Sequence, residues 1–291
     1  RRSTASPDDM KTMTDKLELQ EQLAEWRSAD EHIAIVPTMG NLHAGHISLV
    51  AAAREHAERV VVTVFVNPTQ FGEGEDFDSY PRTLEKDTRR LRKASVDVLF
   101  VPTVEAMYPF GVENATRVVV PGLTENLCGA SRPGHFDGVT TVVARLFALV
   151  QPDVALFGQK DYQQQLVIRR MVEDLSLPIT ILTVPTVREA DGLAMSSRNA
   201  YLDETQRQAA PALYECLRTI EAQLQGGARD FDALERSATE SLAGAGFNPE
   251  YVAVRSAEDL GEPGDNCSRF VVLGAGRLGQ ARLIDNLLVD A

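Results

Sequence analysis

The sequence predicts an α/β fold, a doubly wound parallel sheet followed by a smaller C-terminal α+β domain. Three observations predict it. Apolar runs rich in β-branched residues recur at 33–36, 60–66, 96–101, 154–157 and 179–184. They are too uniformly apolar to be half exposed, so they read as strands covered on both faces. Helix-spaced segments lie between them, and this βαβα alternation argues for a parallel sheet. The alternation stops after Val184, where an irregular polar stretch (185–199) leads into two helices and three short strands.

The elements follow in order. Residues 1–14 are polar and read as a disordered lead-in with no secretory signal. A first helix over 15–29 carries Leu17, Leu19, Leu23 and Trp26 at helical spacing. The strand at 33–36 runs into a Pro/Gly loop, and a helix opens near Ile47. The strand at 60–66 ends at Asn67-Pro68-Thr69-Gln70-Phe71-Gly72. A helix at 83–94, the strand at 96–101 and a short strand at 118–120 come next. A helix at 138–150 precedes the strand at 154–157, whose loop (158–164) leads into a helix at 165–174. The second region holds helices at 203–225 and 230–245, then strands at 251–254, 270–273 and 281–284.

Composition bounds the function. A chain of 291 residues can hold two domains, and 44% hydrophobic with 24% charged residues is ordinary for a soluble protein. A net charge of −13 argues against a nucleic-acid partner, which would want a basic face. Cys128, Cys216 and Cys267 show neither metal spacing nor even pairing, so a reducing cytoplasm fits them. No apolar run approaches the ~20 residues of a membrane span, so no membrane partner is expected.

Ligands of doubly wound sheets bind at the carboxyl ends of strands. Three predicted loops lie there. The first, Pro37-Thr38-Met39-Gly40-Asn41-Leu42-His43-Ala44-Gly45-His46, opens a helix with two histidines on one side of its first turn. The helix's free N–H groups and positive dipole end favour an anion, and Gly40 and Gly45 let a phosphate approach the main chain. The second loop offers Gln70. The third carries Lys160, the only lysine after Lys93, whose compact ammonium suits developing phosphate charge. Gln164 follows it. Beyond the sheet, Ser196, Ser197 and Arg198 offer hydroxyls and an N–H fork for phosphate oxygens, or else an N-cap cluster for the next helix.

Other features compete. Gly274-Ala275-Gly276-Arg277-Leu278-Gly279 matches a dinucleotide fingerprint. The residues from Gln280 to Ala291 leave no room for the helix, second strand and acidic residue that fingerprint needs, so it reads as a hairpin loop. His32, His56 and His135 read as structural or surface. Asp87 and Asp161 could help hold a metal, but no ligand cluster is evident.

Taken together, residues 37–46, Phe65-Val66-Asn67-Pro68-Thr69-Gln70-Phe71, Phe157-Gly158-Gln159-Lys160-Asp161-Tyr162-Gln163-Gln164 and Met195-Ser196-Ser197-Arg198-Asn199 resemble the pantothenate synthetase (pantoate–β-alanine ligase) family. That family lies within the His-x-Gly-His nucleotidyltransferases. Arg132-Pro133-Gly134-His135-Phe136 also fits. The Met-Ser-Ser-Arg segment stands where class I aminoacyl-tRNA synthetases carry Lys-Met-Ser-Lys-Ser. Here Ala194 precedes the methionine, so the first lysine is missing.

The resemblance implies a Rossmann-like nucleotide- and pantoate-binding domain over 15–184 and a C-terminal lid over 185–291. It implies a homodimer and a two-step reaction with MgATP through pantoyl adenylate. Met39 to His46 would line the ATP site after Pro37 and Thr38. Gly158, Gln159, Lys160, Asp161, Val187, Met195, Ser196, Ser197 and Arg198 would complete it, with His46 as proton donor. Gln70 and Gln164 would hold pantoate, and Gln70 would also touch β-alanine. Two alternatives stay open: a plain nucleotidyltransferase or aminoacyl-tRNA-synthetase relative using another acid or phosphate acceptor, and a non-catalytic ATP-sensing protein.

Overall fold

The order of the strands creates the cleft. The computed structural model describes residues 10–291. Its first region contains β1 (Lys11–Met13), α1 (Lys16–Ser28), β2 (Ile33–Thr38), α2 (Ala44–His56), β3 (Arg59–Val64), α3 (Leu84–Lys93) and β4 (Val98–Phe100). The short helices α4 (Val104–Met107) and α5 (Cys128–Ser131) follow. Then come α6 (His135–Val150), β5 (Val154–Gly158), α7 (Tyr162–Asp174) and β6 (Thr180–Val184). Among the described residues these six strands form one sheet in the order β1-β4-β3-β2-β5-β6. Every neighbouring pair is parallel.

The side-chain period of two sorts the core into two layers. Ile33 and Ile35 of β2 pack with Leu23 and Trp26 of α1 and with α6 and α7 on one face. Ala34 and Val36 pack with Leu49, Val50 and Ala53 of α2 and Leu91 of α3 on the other. From β2 the chain steps outward to β3 and β4, then returns to β5 on the opposite side. That reversal is the switch point where such sheets bind ligands. β2 and β5 pair only at Ala34–Val154 and Ile35–Ala155, so beyond these pairs their carboxyl ends are not joined.

The second region carries α8 (Glu204–Ala209), α9 (Ala212–Gln225) and α10 (Phe231–Gly244). These cover an antiparallel sheet of β7 (Asn248–Ser256), β8 (Arg269–Leu278) and β9 (Ala281–Asp290). Its core, centred on Leu217, Ile220, Val254 and Phe270, is separate from the two layers above. A smaller cluster joins the regions, with Leu127 and Tyr162 meeting Val271 and Leu273.

Four expectations are corrected. The disordered lead-in expected over 1–14 fails from Met10 onward: β1 pairs with β4, and Met10 and Met13 are buried. Residues 1–9 lie outside the described residues. Residues 118–120 form no strand; Thr141 Oγ1 accepts from the Val118 N–H instead. The helix expected over 203–225 is two, because Pro211 has no N–H to continue the ladder. The Gly-x-Gly-x-x-Gly segment is mostly strand: Gly274 and Gly276 lie inside β8, and only Gly279 sits in the turn to β9, at φ 58°. Gly274 is where the sheet meets α9, since an added Cβ would lie 2.8 Å from Leu213 Cδ1.

Met13 is 2% exposed in the large core layer. Met13→Ala is expected to lower unfolding stability by about 2–4 kcal/mol in urea titrations. A loss below about 0.5 kcal/mol would return this segment to lead-in status.

Candidate active site

The loop after β2 is shaped by two consecutive left-handed residues, Gly40 (φ 83°) and Asn41 (φ 49°). They turn the N–H groups of Asn41 and Leu42 toward one point, where the Asp87 carboxylate accepts both at 2.8 Å. The Thr83 hydroxyl donates to the same carboxylate at 3.1 Å. Asp87 is 0% exposed, so these donors offset the cost of burying it. It holds the loop rather than a metal. A side chain at Gly40 would be strained by the left-handed backbone and would crowd Val64 and Asp87, with a Cβ at 3.1 and 3.3 Å from them.

The loop then enters α2 through a capping box made of histidines. His43 Nδ1 accepts from the Gly45 N–H at 3.1 Å, and His46 Nδ1 accepts from the His43 N–H at 3.2 Å. Gly45 must lack a side chain because a Cβ there would stand 2.9 Å from the His43 ring. The two ring centroids are 4.1 Å apart. With both Nδ1 atoms accepting, the neutral rings carry their protons on Nε2. The sequence reading offered an anion the free N–H groups of this helix end. Those of His43 and Gly45 are already taken, so the imidazole Nε2–H groups join what remains of that helix end as donors.

Burial, and next the Lys160 ammonium, hold the His43 pKa down at about 4. Burial and then His43 hold His46 at about 3. Both are neutral at pH 7.

Asn67 organises the second loop. It is 1% exposed. Its Nδ2 donates to Gln70 Oε1 and to the Gly138 carbonyl, each at 3.1 Å, and its Oδ1 accepts from Tyr108 Oη at 2.7 Å. α6 lies against this loop; a Cβ on Gly138 would come 2.3 Å from the Thr69 carbonyl oxygen. His135 Nδ1–H donates to the Gln70 carbonyl at 2.8 Å. Its Nε2 then accepts from Arg132 at 2.9 Å, and Arg132 is fixed by two 2.6 Å bonds to Glu75. Burial first, with Arg132 second, lowers the His135 pKa to about 4. The reading of His135 as structural holds in kind, but the structure it supports is that of Gln70.

Lys160 sits in a single turn between β5 and α7, its Nζ 4.0 Å from Asp161 Oδ2. In the polar stretch after β6, Ser197 Oγ donates to the Asn41 carbonyl at 3.1 Å. That bond ties the serine loop to the histidine loop. Ser196 Oγ caps its own turn by accepting from Arg198 N–H. Arg198, expected as a free fork for phosphate, is bound through Nε and Nη2 to Asp76 at 3.0 and 2.9 Å.

These parts enclose a cleft of about 220 Å³. Pro37, Thr38, Met39, His43, Gly45, His46, Gln70, Gly158, Lys160, Asp161, Gln164, Val187, Met195, Ser196, Ser197 and Arg198 line it. Gly40, Asn41, Leu42, Ala44 and Gln159 do not; Leu42 is buried in the core beside α2. The cleft also takes in Tyr80 and Val142, which the sequence reading did not single out, and Phe65, which it quoted in a motif without giving it a role. Among the described residues no group of three or more His, Cys, Asp or Glu side chains is set to hold a metal, and no helix is long and apolar enough to cross a membrane.

A switch-point cleft holding two neutral imidazoles, an ammonium, hydroxyls and paired amides defines an α/β enzyme of the His-x-Gly-His type, built to act on a phosphate-bearing substrate. Comparison with known proteins narrows the class. The pantoate-beta-alanine ligase family profile matches residues 11–288. The pantothenate synthetase of Pseudomonas aeruginosa (strain UCBPP-PA14) is 55% identical over 282 residues, 96% of this chain and 99% of that protein. The crystal structure of pantothenate synthetase from Thermus thermophilus superposes with a TM-score of 0.89 at 49% identity, covering 96% of this chain and 99% of that one. A pantoate-beta-alanine ligase from Francisella tularensis, complexed with beta-gamma ATP and beta-alanine, superposes at 0.81 and 34% identity, covering 96% and 97%. The chain belongs to the pantoate-beta-alanine ligase family.

The lowered histidine pKa values set a pH dependence. The unfolded chain binds protons near pH 6.5, whereas folded His43, His46 and His135 bind them only near 4, 3 and 4. Their contribution to stability is therefore complete above 6.5 and is lost as pH falls toward those values. Imidazole proton NMR is expected to show three rings with flat shifts from pH 8 to about 5. A midpoint near 6.5 for His46 would contradict the geometry.

Proposed function

We propose that the protein joins pantoate to β-alanine in two ATP-dependent steps. A pantoate carboxylate oxygen attacks the α-phosphorus of MgATP, the α–β phosphoanhydride bond breaks, and pyrophosphate leaves. The neutral amine of β-alanine then attacks the acyl carbon of pantoyl adenylate. The acyl–oxygen bond to AMP breaks, the amine loses its proton, and pantothenate and AMP remain. The observation that carries this reading is the sharing of one cleft by His43, His46, Lys160, Gln70 and Gln164. The related ligase solved with a nucleotide and beta-alanine supports the same choice of substrates.

The roles follow from the chemistry each group offers. Charge moves onto the pyrophosphate as it leaves, and fixed donors aimed there stabilise the transition state without reorganising. Lys160 supplies full charge, the two Nε2–H groups and the Ser196 hydroxyl supply hydrogen bonds, and the Ser197 hydroxyl joins them only on releasing the Asn41 carbonyl. Gln70 and Gln164 suit a hydroxy acid, whose hydroxyl and carboxylate need both donors and acceptors. Holding acid and nucleotide side by side removes much of the entropic barrier.

His46 acts here as a neutral donor, because its Nδ1 is occupied and its pKa is low. Proton donation by His46 requires triphosphate charge nearby to raise that pKa. Arg198 contributes to phosphate binding only after exchanging Asp76 for the ligand. Magnesium belongs to the substrate complex, where it neutralises phosphate charge. It usually keeps waters and takes one or two carboxylates, and Asp161 is the acidic side chain lining the cleft.

The remaining parts of the reading are a substrate domain that takes in β1 and ends at Val184, a 185–291 lid hinged near Pro185, and a homodimer in the cytoplasm. The separate core of the second region supports the division. The three free cysteines support a reducing compartment, and the family resemblance supports the dimer.

Pantoate-dependent exchange of pyrophosphate into ATP, followed by amide formation on adding β-alanine, tests the reading. His46→Ala and Lys160→Ala are each expected to slow exchange by ~100-fold or more, the scale of one lost oxyanion-type donor. Losses under tenfold in both would remove them from the mechanism. Exchange without pantoate would point to a different acid.

A further inference from the structure

The C-terminal sheet reaches back into the turn that carries Lys160. Asn286, on β9 and 1% exposed, donates from Nδ2 to the carbonyl oxygens of both Gln159 and Lys160, each at 2.9 Å. Its Oδ1 faces the Gln159 amide at 3.4 Å. The neighbouring Asp285 accepts from the Asn286 N–H at 2.8 Å and from both terminal nitrogens of Arg188 at 2.5 and 2.9 Å. Arg188 in turn lies over the Tyr214 ring, 3.8 Å from its centre. It comes from the stretch after Pro185 that also supplies Ser196 and Ser197.

A primary amide is a costly group to bury for packing alone, and here both of its donors are aimed at the backbone of one turn. The lysine side chain has four rotatable bonds, so its reach is set by where that backbone is held. We propose that Asn286 is a positioning residue for Lys160. By clamping the turn from the other sheet, it makes pyrophosphate release conditional on the C-terminal region being docked. Arg188 and Asp285 bring the serine loop to the same point, so the donors from the two regions are set together. The inference rests on the proposed reaction, because the step it tunes is the ATP-dependent half.

The test is a double-mutant cycle on that half-reaction, with hydrogen exchange alongside. Asn286→Ala removes both donors. Asn286→Asp keeps the shape but turns oxygens toward two carbonyls. Both variants are expected to lower the maximal exchange rate by about 10- to 100-fold, the scale of a small misplacement. The KM for pantoate should change less than about threefold. Added to Lys160→Ala, Asn286→Ala should cost less than about twofold, because its effect runs through the absent ammonium. Backbone amides of 158–164 should exchange faster in both single variants while those of β2 and β3 stay protected. Multiplicative losses in the double variant, a full rate in Asn286→Asp, or unchanged protection of 158–164 would each overturn the proposal. Absence of exchange in the unsubstituted protein would sink the functional reading instead, and hydrogen exchange alone would then decide whether the turn is clamped.

Discussion

The structure depends on one buried carboxylate holding one loop. Asp87 stands on α3, far along the chain from the loop it accepts, and is closed off from solvent. Two successive left-handed residues expose a pair of N–H groups that a strand or helix would otherwise use, and such a pair forms a small anion nest. The protein fills that nest with its own carboxylate. The chain then enters α2 on a fixed heading, with both histidines locked by their Nδ1 atoms. The Nε2–H side of each ring is left without an internal partner among these bonds.

The same logic governs the cleft's charge. On a chain of net charge −13, many basic groups are already paired. Arg132 is committed to Glu75, Arg188 to Asp285 and Arg198 to Asp76. These pairs are half buried or better, so they brace the walls of the cleft. Lys160 is only loosely opposed by Asp161, and its field helps keep His43 neutral. A loosely paired ammonium among neutral donors suits the phosphate chemistry proposed for this cleft.

Much of this was legible in the sequence. The central strands could be read because burial on both faces leaves unbroken apolar runs, and the three loops because they end those runs. β1 was not legible, since three residues carry no period and its burial comes from pairing with β4. Residues 118–120 looked like a strand by composition, but Thr141 rather than a neighbouring strand takes the Val118 N–H. The break at Pro211 was legible in principle and was overridden by the flanking helical spacing. Asp87, His135 and Asn286 were out of reach as functional parts. Each acts on backbone atoms distant in sequence, and no local pattern records that. Arg198 was read as a free fork because nothing near it in sequence announces Asp76.

The central claim is that a preorganised histidine loop, not merely the presence of its residues, drives nucleotide chemistry. Asp87→Asn tests it most directly, since the amide keeps the shape of the carboxylate but offers the Asn41 and Leu42 N–H groups only one acceptor oxygen. The measurement is the pantoate-dependent pyrophosphate–ATP exchange rate of this variant at saturating substrates, with folding verified by circular dichroism. The expected result is a fall of about tenfold or more, with every group of the cleft still in place. A rate within about twofold of the parent would contradict the claim.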